Sequence, residues 1–171
     1  MEHSLVHDVG DAETLTIFQP LLALTRIRKL TLRLSGVEML DDGWLNRASK
    51  SFPQLQNLKL YGRAVERKRI TLAGYIPVLQ NCPRLSEISV ATAYRSFDPR
   101  KALTAGLCNE NLWNLDCTTS SIESPVGIIF RCLILMFPNL CLLFIPLDFP
   151  SEEARKSWIN LQRLVRESQM Y

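Results

Sequence analysis

A short motif that recurs at a nearly constant period limits the folds available to this chain more than any other feature. The copies read RIRKLTL at 26–32, QLQNLKL at 54–60, RLSEISV at 84–90, NLWNLDC at 111–117 and NLCLLFI at 139–145. Their first apolar residues lie 28, 30, 27 and 28 positions apart. A period of roughly 20–29 residues with this apolar spacing is typical of leucine-rich repeats. The pattern predicts an α/β leucine-rich-repeat solenoid of about five coils, with short parallel strands on its concave face.

The segments between the motifs predict helices or irregular segments on the convex face. Thr71 is a candidate N-cap for the best-defined helix, and Pro83 ends it because proline removes a backbone donor. In the preceding coil, Asp41 or Asp42 can cap a helix that runs to Phe52. Acidic pairs at helix starts are explained by capping, so they indicate no catalytic carboxylates.

The chain divides into three predicted parts. Residues 1–13 are expected to be a flexible N-terminus, residues 14–150 the repeat array and residues 151–171 a C-terminal capping helix. The apolar stripe of that helix comprises Ala154, Trp158, Leu161 and Val165. The last coil of a solenoid has no neighbour, so a cap with one polar face is required for solubility. A helix that lies on a membrane surface is the alternative interpretation.

One nearly continuous apolar stretch, residues 126–147, has the length of a membrane span. Arg131 lies inside it, and a charge near the centre of a bilayer costs about 2.5–3.5 kcal/mol on the insertion scale. Pro138 and Asn139 divide the rest into shorter apolar runs. We therefore expect a buried helix followed by a buried strand, and no membrane as a partner.

The composition limits the remaining classes of partner. The net charge of +3 is modest, so strong attraction to nucleic acid is not expected. The basic run at 63–69 suggests phosphate contact or nuclear import, but a solvated loop is the simpler interpretation. The five cysteines include no C-x-x-C pair, which favours free thiols in a reducing compartment, the cytoplasm or the nucleus.

No motif for catalysis, a cofactor or a metal is present in the sequence. It contains no phosphate-binding glycine loop and no G-x-S-x-G segment. His3 and His7 have a spacing that can bind a metal on a helix, but a frayed terminus is the simpler interpretation. Since both histidines lie in the first seven residues, the repeats have no evident general base. The sequence predicts a protein that is not an enzyme.

The residues between the apolar positions of each motif, Ser89 among them, are predicted to point onto the exposed face of the sheet. This face would be basic at one end, acidic in the middle and apolar at the other. The candidate protein-binding residues are Lys29, Arg33, Lys59, Tyr61, Glu87, Asp116 and Phe144. A protein whose surface carries acidic, basic and apolar groups in the complementary order could bind there. The alternative is a soluble, unselected face whose apolar residues, Leu142 and Phe144, are covered by the C-terminal helix.

Three stretches resemble the leucine-rich-repeat portion of fungal F-box-like proteins: ITLAGYIPVLQNCPRLSEISV, DDGWLNRASKSFPQLQNLKL and SSIESPVGIIFRCLILMFPNL. The resemblance runs from about Thr14 to Trp158. It implies that the repeats select a protein substrate for a cullin-based ubiquitin ligase. Nothing before Thr14 is long enough for an F-box, so a Skp-type adaptor would be a partner only through an F-box outside this chain. The alternative is a free-standing leucine-rich-repeat scaffold with no ubiquitin link; a monomer is expected in both cases.

Overall fold

Two parallel sheets form the centre of the molecule. The computed structural model describes residues 18–33, 37–62, 69–95, 98 and 108–170. The larger sheet consists, in sequence order, of β1 (Lys29–Arg33), β2 (Asn57–Tyr61), β4 (Glu87–Val90), β6 (Asn114–Asp116) and β8 (Leu142–Phe144). The smaller sheet consists of β3 (Ile70–Thr71), β5 (Thr92–Tyr94) and β7 (Ser121–Ile122). The fold is therefore of the mixed α/β class.

The strands of the larger sheet coincide with the five sequence motifs, and all its strand pairs are parallel as predicted. One buried layer contains Leu30, Leu58, Ile88, Leu115 and Leu143, which lie side by side in register. Alternate residues of a strand point to the same side of a sheet, so the apolar positions of every motif meet in one core. The prediction of five parallel strands is confirmed.

A repeated hydrogen-bonding step joins the coils just before each strand. The carbonyl oxygen of Arg28 accepts hydrogen bonds from the amides of Gln56 and Asn57 at 2.7 and 3.1 Å. The carbonyls of Gln56, Ser86 and Trp113 each accept two consecutive amides of the following coil in the same way. Buried backbone groups must find partners, so this step fixes how each coil stacks on the previous one.

Four α-helices lie in the described residues: α1 (Asp42–Ser51), α2 (Leu72–Asn81), α3 (Val126–Met136) and α4 (Glu152–Ser168). Two short 3-10 helices, Pro20–Ala23 and Val37–Met39, precede α1. Helices α1 and α2 pack against each other, and α3 packs against α4. The apolar stretch at 126–147 thus forms α3 and β8, and no described helix is both long and apolar enough to cross a membrane.

Two neighbouring carboxylates at the start of α1 have different roles. Asp41 caps the helix, since its Oδ1 accepts the amide hydrogen of Trp44 at 2.7 Å. Asp42 reaches the next coil, where its carboxylate accepts the amide and the hydroxyl of Thr71, both at 2.7 Å. Gly74 lies close by, and a Cβ there would collide with the Asp42 carboxylate. The glycine therefore makes room for a link between coils.

Helix α4 packs its predicted apolar stripe into the core. Trp158, Leu161 and Val165 are buried and Ala154 is half-buried. The ring of Trp158 meets that of Tyr94 edge-on, with centroids 5.8 Å apart. Because the stripe is already covered by protein, the interpretation of α4 as a membrane-surface helix is wrong.

No pattern in the sequence predicts the smaller sheet. Its strands have only two or three residues, and β5 is buried along its whole length, so no alternation marks them. Other expectations lie outside the described residues: the flexible N-terminus at 1–13 with His3 and His7, and residues 63–68 of the basic run.

The cysteines separate into two classes that a thiol reagent can distinguish. Cys82, Cys117 and Cys132 are buried, whereas Cys108 and Cys141 are exposed. Burial raises the pKa of Cys82 to about 11 and that of Cys117 to about 12. We expect an aromatic disulfide reagent to modify two thiols of the native chain and all five after unfolding. Rapid modification of a third thiol in the native state would contradict the packing described around these side chains.

Candidate protein-binding surface

The side chains between the buried positions of the larger sheet form one continuous surface, called here the exposed sheet face. It comprises Lys29, Thr31, Arg33, Asn57, Lys59, Tyr61, Glu87, Ser89, Asn114, Asp116, Leu142 and Phe144. Neighbouring parallel strands lie about 4.8 Å apart, so a row across five strands spans roughly 19 Å. All seven candidate binding residues lie on this surface, and the strand register sets their order.

The basic end of the face is formed by β1 and β2. The guanidinium carbon of Arg33 lies 4.6 Å from the centre of the Tyr61 ring. A cation above an aromatic ring is attracted to the ring's negative face. Lys29 lies on the same strand as Arg33 and is exposed. Arg33 and Tyr61 therefore form one ordered patch that presents both a cation and a ring.

An ion pair connects the basic end to the acidic middle. Lys59 Nζ lies 3.0 Å from Glu87 Oε2, with 36% and 20% of the two side chains exposed. Their hydrogen bond raises the pKa of Lys59 and lowers that of Glu87. Solvent screening limits such a pair to about 1 kcal/mol or less. Because the pKa of Glu87 is lowered by folding, its contribution is present above the ordinary value of 4.5 and is lost as pH falls through the folded value.

Asp116 is held at the centre of the face by neutral donors. Its Oδ2 accepts the Ser89 hydroxyl at 2.7 Å, and its Oδ1 accepts the amide of Thr118 at 2.9 Å. Among the described residues, Asp116 forms no salt bridge. On the same strand, the side-chain oxygen of Asn114 is buried and has no hydrogen-bond partner in the described part of the chain.

These groups surround a depression of about 290 Å³. It is lined by Lys59, Glu87, Ile88, Ser89, Asn114, Asp116, Thr118 and Phe144. Phe144 is 49% exposed and the neighbouring Leu142 is 41% exposed. The alternative, in which the C-terminal helix covers these two residues, is therefore wrong in this respect. Helix α4 meets β8 from another side, where Gln162 Nε2 donates to the carbonyl of Leu143 at 2.8 Å.

Ser89 and Asn114 line the depression, although neither a charge nor a ring marks them in the sequence. Both side chains are small and neutral, and Ser89 is only 5% exposed although it belongs to the exposed sheet face. Their positions in the repeat motifs could have identified them. Ser89 pairs with Asp116 and Asn114 pairs with Glu87 across β4 and β6. Residues opposite each other on neighbouring strands interact directly, so the charged residues Glu87 and Asp116 bring Asn114 and Ser89 into the site.

The burial of Ser89 leads to a prediction for stability. Ser89→Ala removes the hydroxyl that donates to Asp116, so we expect the free energy of unfolding to fall by about 1 kcal/mol. Thr31→Ala, at an exposed position of β1 on the same face, should change it by less than about 0.5 kcal/mol. Urea titration monitored by circular dichroism measures both. Equal effects of the two substitutions would show that the Ser89–Asp116 hydrogen bond contributes no stability.

No protein-family model and no curated protein matches this chain. Among solved structures, the chain is similar to the actin-binding site 2 of leiomodin-1, with 14% identity, a TM-score of 0.48 and coverage of 90% of this chain and 92% of that one. It is also similar to the tropomodulin C-terminal domain of Caenorhabditis elegans, with 11% identity, a TM-score of 0.42 and coverage of 94% and 95%. Both TM-scores lie below 0.5, so no function follows from either likeness.

The comparisons correct the resemblance to fungal F-box-like proteins. No family model of that group matches, and the similar solved structures belong to leiomodin and tropomodulin. The roles drawn from the resemblance, substrate selection for a ubiquitin ligase and a Skp-type adaptor as partner, are therefore wrong. The alternative, a free-standing leucine-rich-repeat scaffold, finds no support in these comparisons either. The quoted stretches consist largely of buried positions such as Leu72, Tyr75 and Leu85. Any stack of α/β coils needs apolar residues there, so packing alone accounts for the pattern.

Proposed function

We propose that this chain is a non-enzymatic protein that binds an extended segment of another protein on the exposed sheet face. One observation carries the proposal: charged groups of both signs, an aromatic ring and two exposed apolar side chains lie on a single ordered surface. Exposed apolar groups that are framed by charges are typical of interaction sites. From β1 to β8, the face changes from basic to acidic to apolar, and this order of charges would fix the register of a bound segment.

The fold and the thiols support two accompanying proposals. We propose that the coils are of the leucine-rich type, which the period near 28 residues and the aligned parallel strands support. We also propose a reducing compartment, the cytoplasm or the nucleus, as the location of the protein. The odd number of cysteines and the lack of a C-x-x-C pair in the sequence support this assignment.

A selection of displayed peptides on the folded chain tests the proposed function and requires no named partner. Binding energy at protein interfaces is concentrated in Tyr, Trp and Arg side chains. We therefore expect Tyr61→Ala and Arg33→Ala each to weaken binding of a selected peptide by more than about 1 kcal/mol, with little change in melting temperature. Isothermal titration calorimetry measures the affinities.

Arg163→Ala is the matched control for this experiment. Arg163 is exposed on α4, where its guanidinium lies 2.7 Å from Glu167, and it does not belong to the exposed sheet face. We expect this variant to bind the selected peptide like the unmodified chain. Silent Tyr61 and Arg33 variants combined with a weakened Arg163 variant would place the binding site elsewhere and reject the proposal.

A further inference from the structure

We infer that the depression between β4, β6 and β8 receives a basic side chain of the bound segment, and that arginine fits it best. The inference rests on the proposed function and deepens it, because it specifies the chemistry of the partner at one position of the exposed sheet face. It is carried by the charge, the hydrogen-bonding capacity and the shape of the depression.

The charge of the depression favours a cation. Three of its lining residues are charged, and Lys59 is paired with Glu87 at 3.0 Å. The remaining net charge is the negative charge of Asp116. Each Asp116 oxygen accepts one hydrogen bond from the protein, and a carboxylate oxygen can accept a second. The carboxylate can therefore take two further N–H donors from a ligand while it keeps its internal contacts.

The walls of the depression favour a planar cation. Phe144 lines it and is half-exposed, so an incoming guanidinium group can stack on its ring. A guanidinium group has five N–H donors in one plane, so it can donate to Asp116 while its flat face stacks on the Phe144 ring, whereas a lysine ammonium group cannot stack in this way.

The volume of the depression suits one side chain. About 290 Å³ corresponds to roughly ten water molecules, which accommodates a long side chain but no folded element. An acidic occupant would meet the like charge of Asp116. An apolar occupant would remove water from the Asp116 carboxylate without replacing its hydrogen bonds, which is unfavourable.

Titration with a minimal probe tests the inference. N-acetyl-arginine amide is added to the isotope-labelled full chain, and amide chemical shifts are followed by NMR. We expect saturable shifts centred on Ser89, Asn114 and Asp116. N-acetyl-citrulline amide has nearly the same shape without the charge, and we expect it to bind about tenfold more weakly. Equal binding of the two probes, or arginine shifts outside the depression, would overturn the inference.

Two variants make the test specific to the site. Asp116→Asn keeps the size of the side chain and should weaken arginine binding by about tenfold, as should Phe144→Ala, which removes the stacking surface. Arg163→Ala should bind the probe normally. Because Asp116→Asn is nearly isosteric, its melting temperature separates a loss of binding from a loss of folding. Unchanged arginine affinity in both site variants would also overturn the inference.

The peptides selected on the folded chain distinguish a failure of this inference from a failure of the proposed function. Suppose that they depend on Tyr61 and Arg33 but contain no basic residue whose replacement by citrulline weakens binding. In that case the face binds protein and the depression takes another group, so only this inference is rejected. Binding that ignores Tyr61, Arg33 and Asp116 alike would reject both.

Discussion

Replacement of Trp158 by alanine should lower the free energy of unfolding by about 3–5 kcal/mol. Trp158 is 2% exposed, and its edge-on contact with Tyr94 joins α4 to β5. The cavity that remains would lie where α4 closes the core, and no further described coil is stacked there to fill it. Urea unfolding followed by tryptophan fluorescence and circular dichroism measures the loss.

Ile159 is the matched control for Trp158. It is the next residue on α4 and is 45% exposed, so Ile159→Ala should change stability by less than about 0.5 kcal/mol. Trp158→Ala should bind the selected peptide with unchanged affinity below its melting temperature, since Trp158 lies in the core. A small loss of stability, or equal losses for the two variants, would contradict the assignment of α4 to the core.

Replacement of Ile88 by alanine should cost about 2–5 kcal/mol and should also change the shape of the transition. Ile88 is 1% exposed in the central strand, between Leu58 and Leu115 in register. Each coil of a stacked array is stabilised mainly by its neighbours, so a cavity in the middle should separate the two ends into units that melt differently. Calorimetry should then show a broadened or divided transition.

The neighbouring residue provides the control for Ile88. Ser89 points to the opposite side of β4, and its replacement is expected to cost about 1 kcal/mol. If Ile88→Ala and Ser89→Ala gave the same loss with the same transition shape, the strand register would be wrong by one residue. Such a shift would also turn Glu87, the candidate binding residue on β4, away from the exposed sheet face.

The larger sheet could be predicted because its signal is repeated. Leu58, Ile88 and Leu115 occupy the same place in successive motifs, and a parallel stack is the arrangement that buries them all in one layer. The order of charges along the exposed sheet face followed directly, because alternation along a strand assigns Lys59, Glu87 and Asp116 to the side opposite the core.

Features that depend on contacts between specific side chains could not be predicted in this way. Nothing in the sequence pairs Asp42 with Thr71, which lie 29 positions apart, or shows that Ser89 would be buried beneath Asp116. The depression exists because α4 does not cover Phe144. The position of α4 relative to the sheet decides this, and no sequence motif encodes that position. Periodicity determines which face of the sheet a residue lies on, whereas the extent to which that residue is buried depends on the side chains around it.

The location of a bound peptide tests the central claim most directly. A peptide selected on the folded chain is titrated into the labelled protein, and its contact surface is mapped by amide chemical-shift changes. The account predicts the largest changes at strand residues of the exposed sheet face, including Lys59, Tyr61 and Asp116. Changes concentrated on α1, α2 or the polar side of α4, with those strands unaffected, would contradict it.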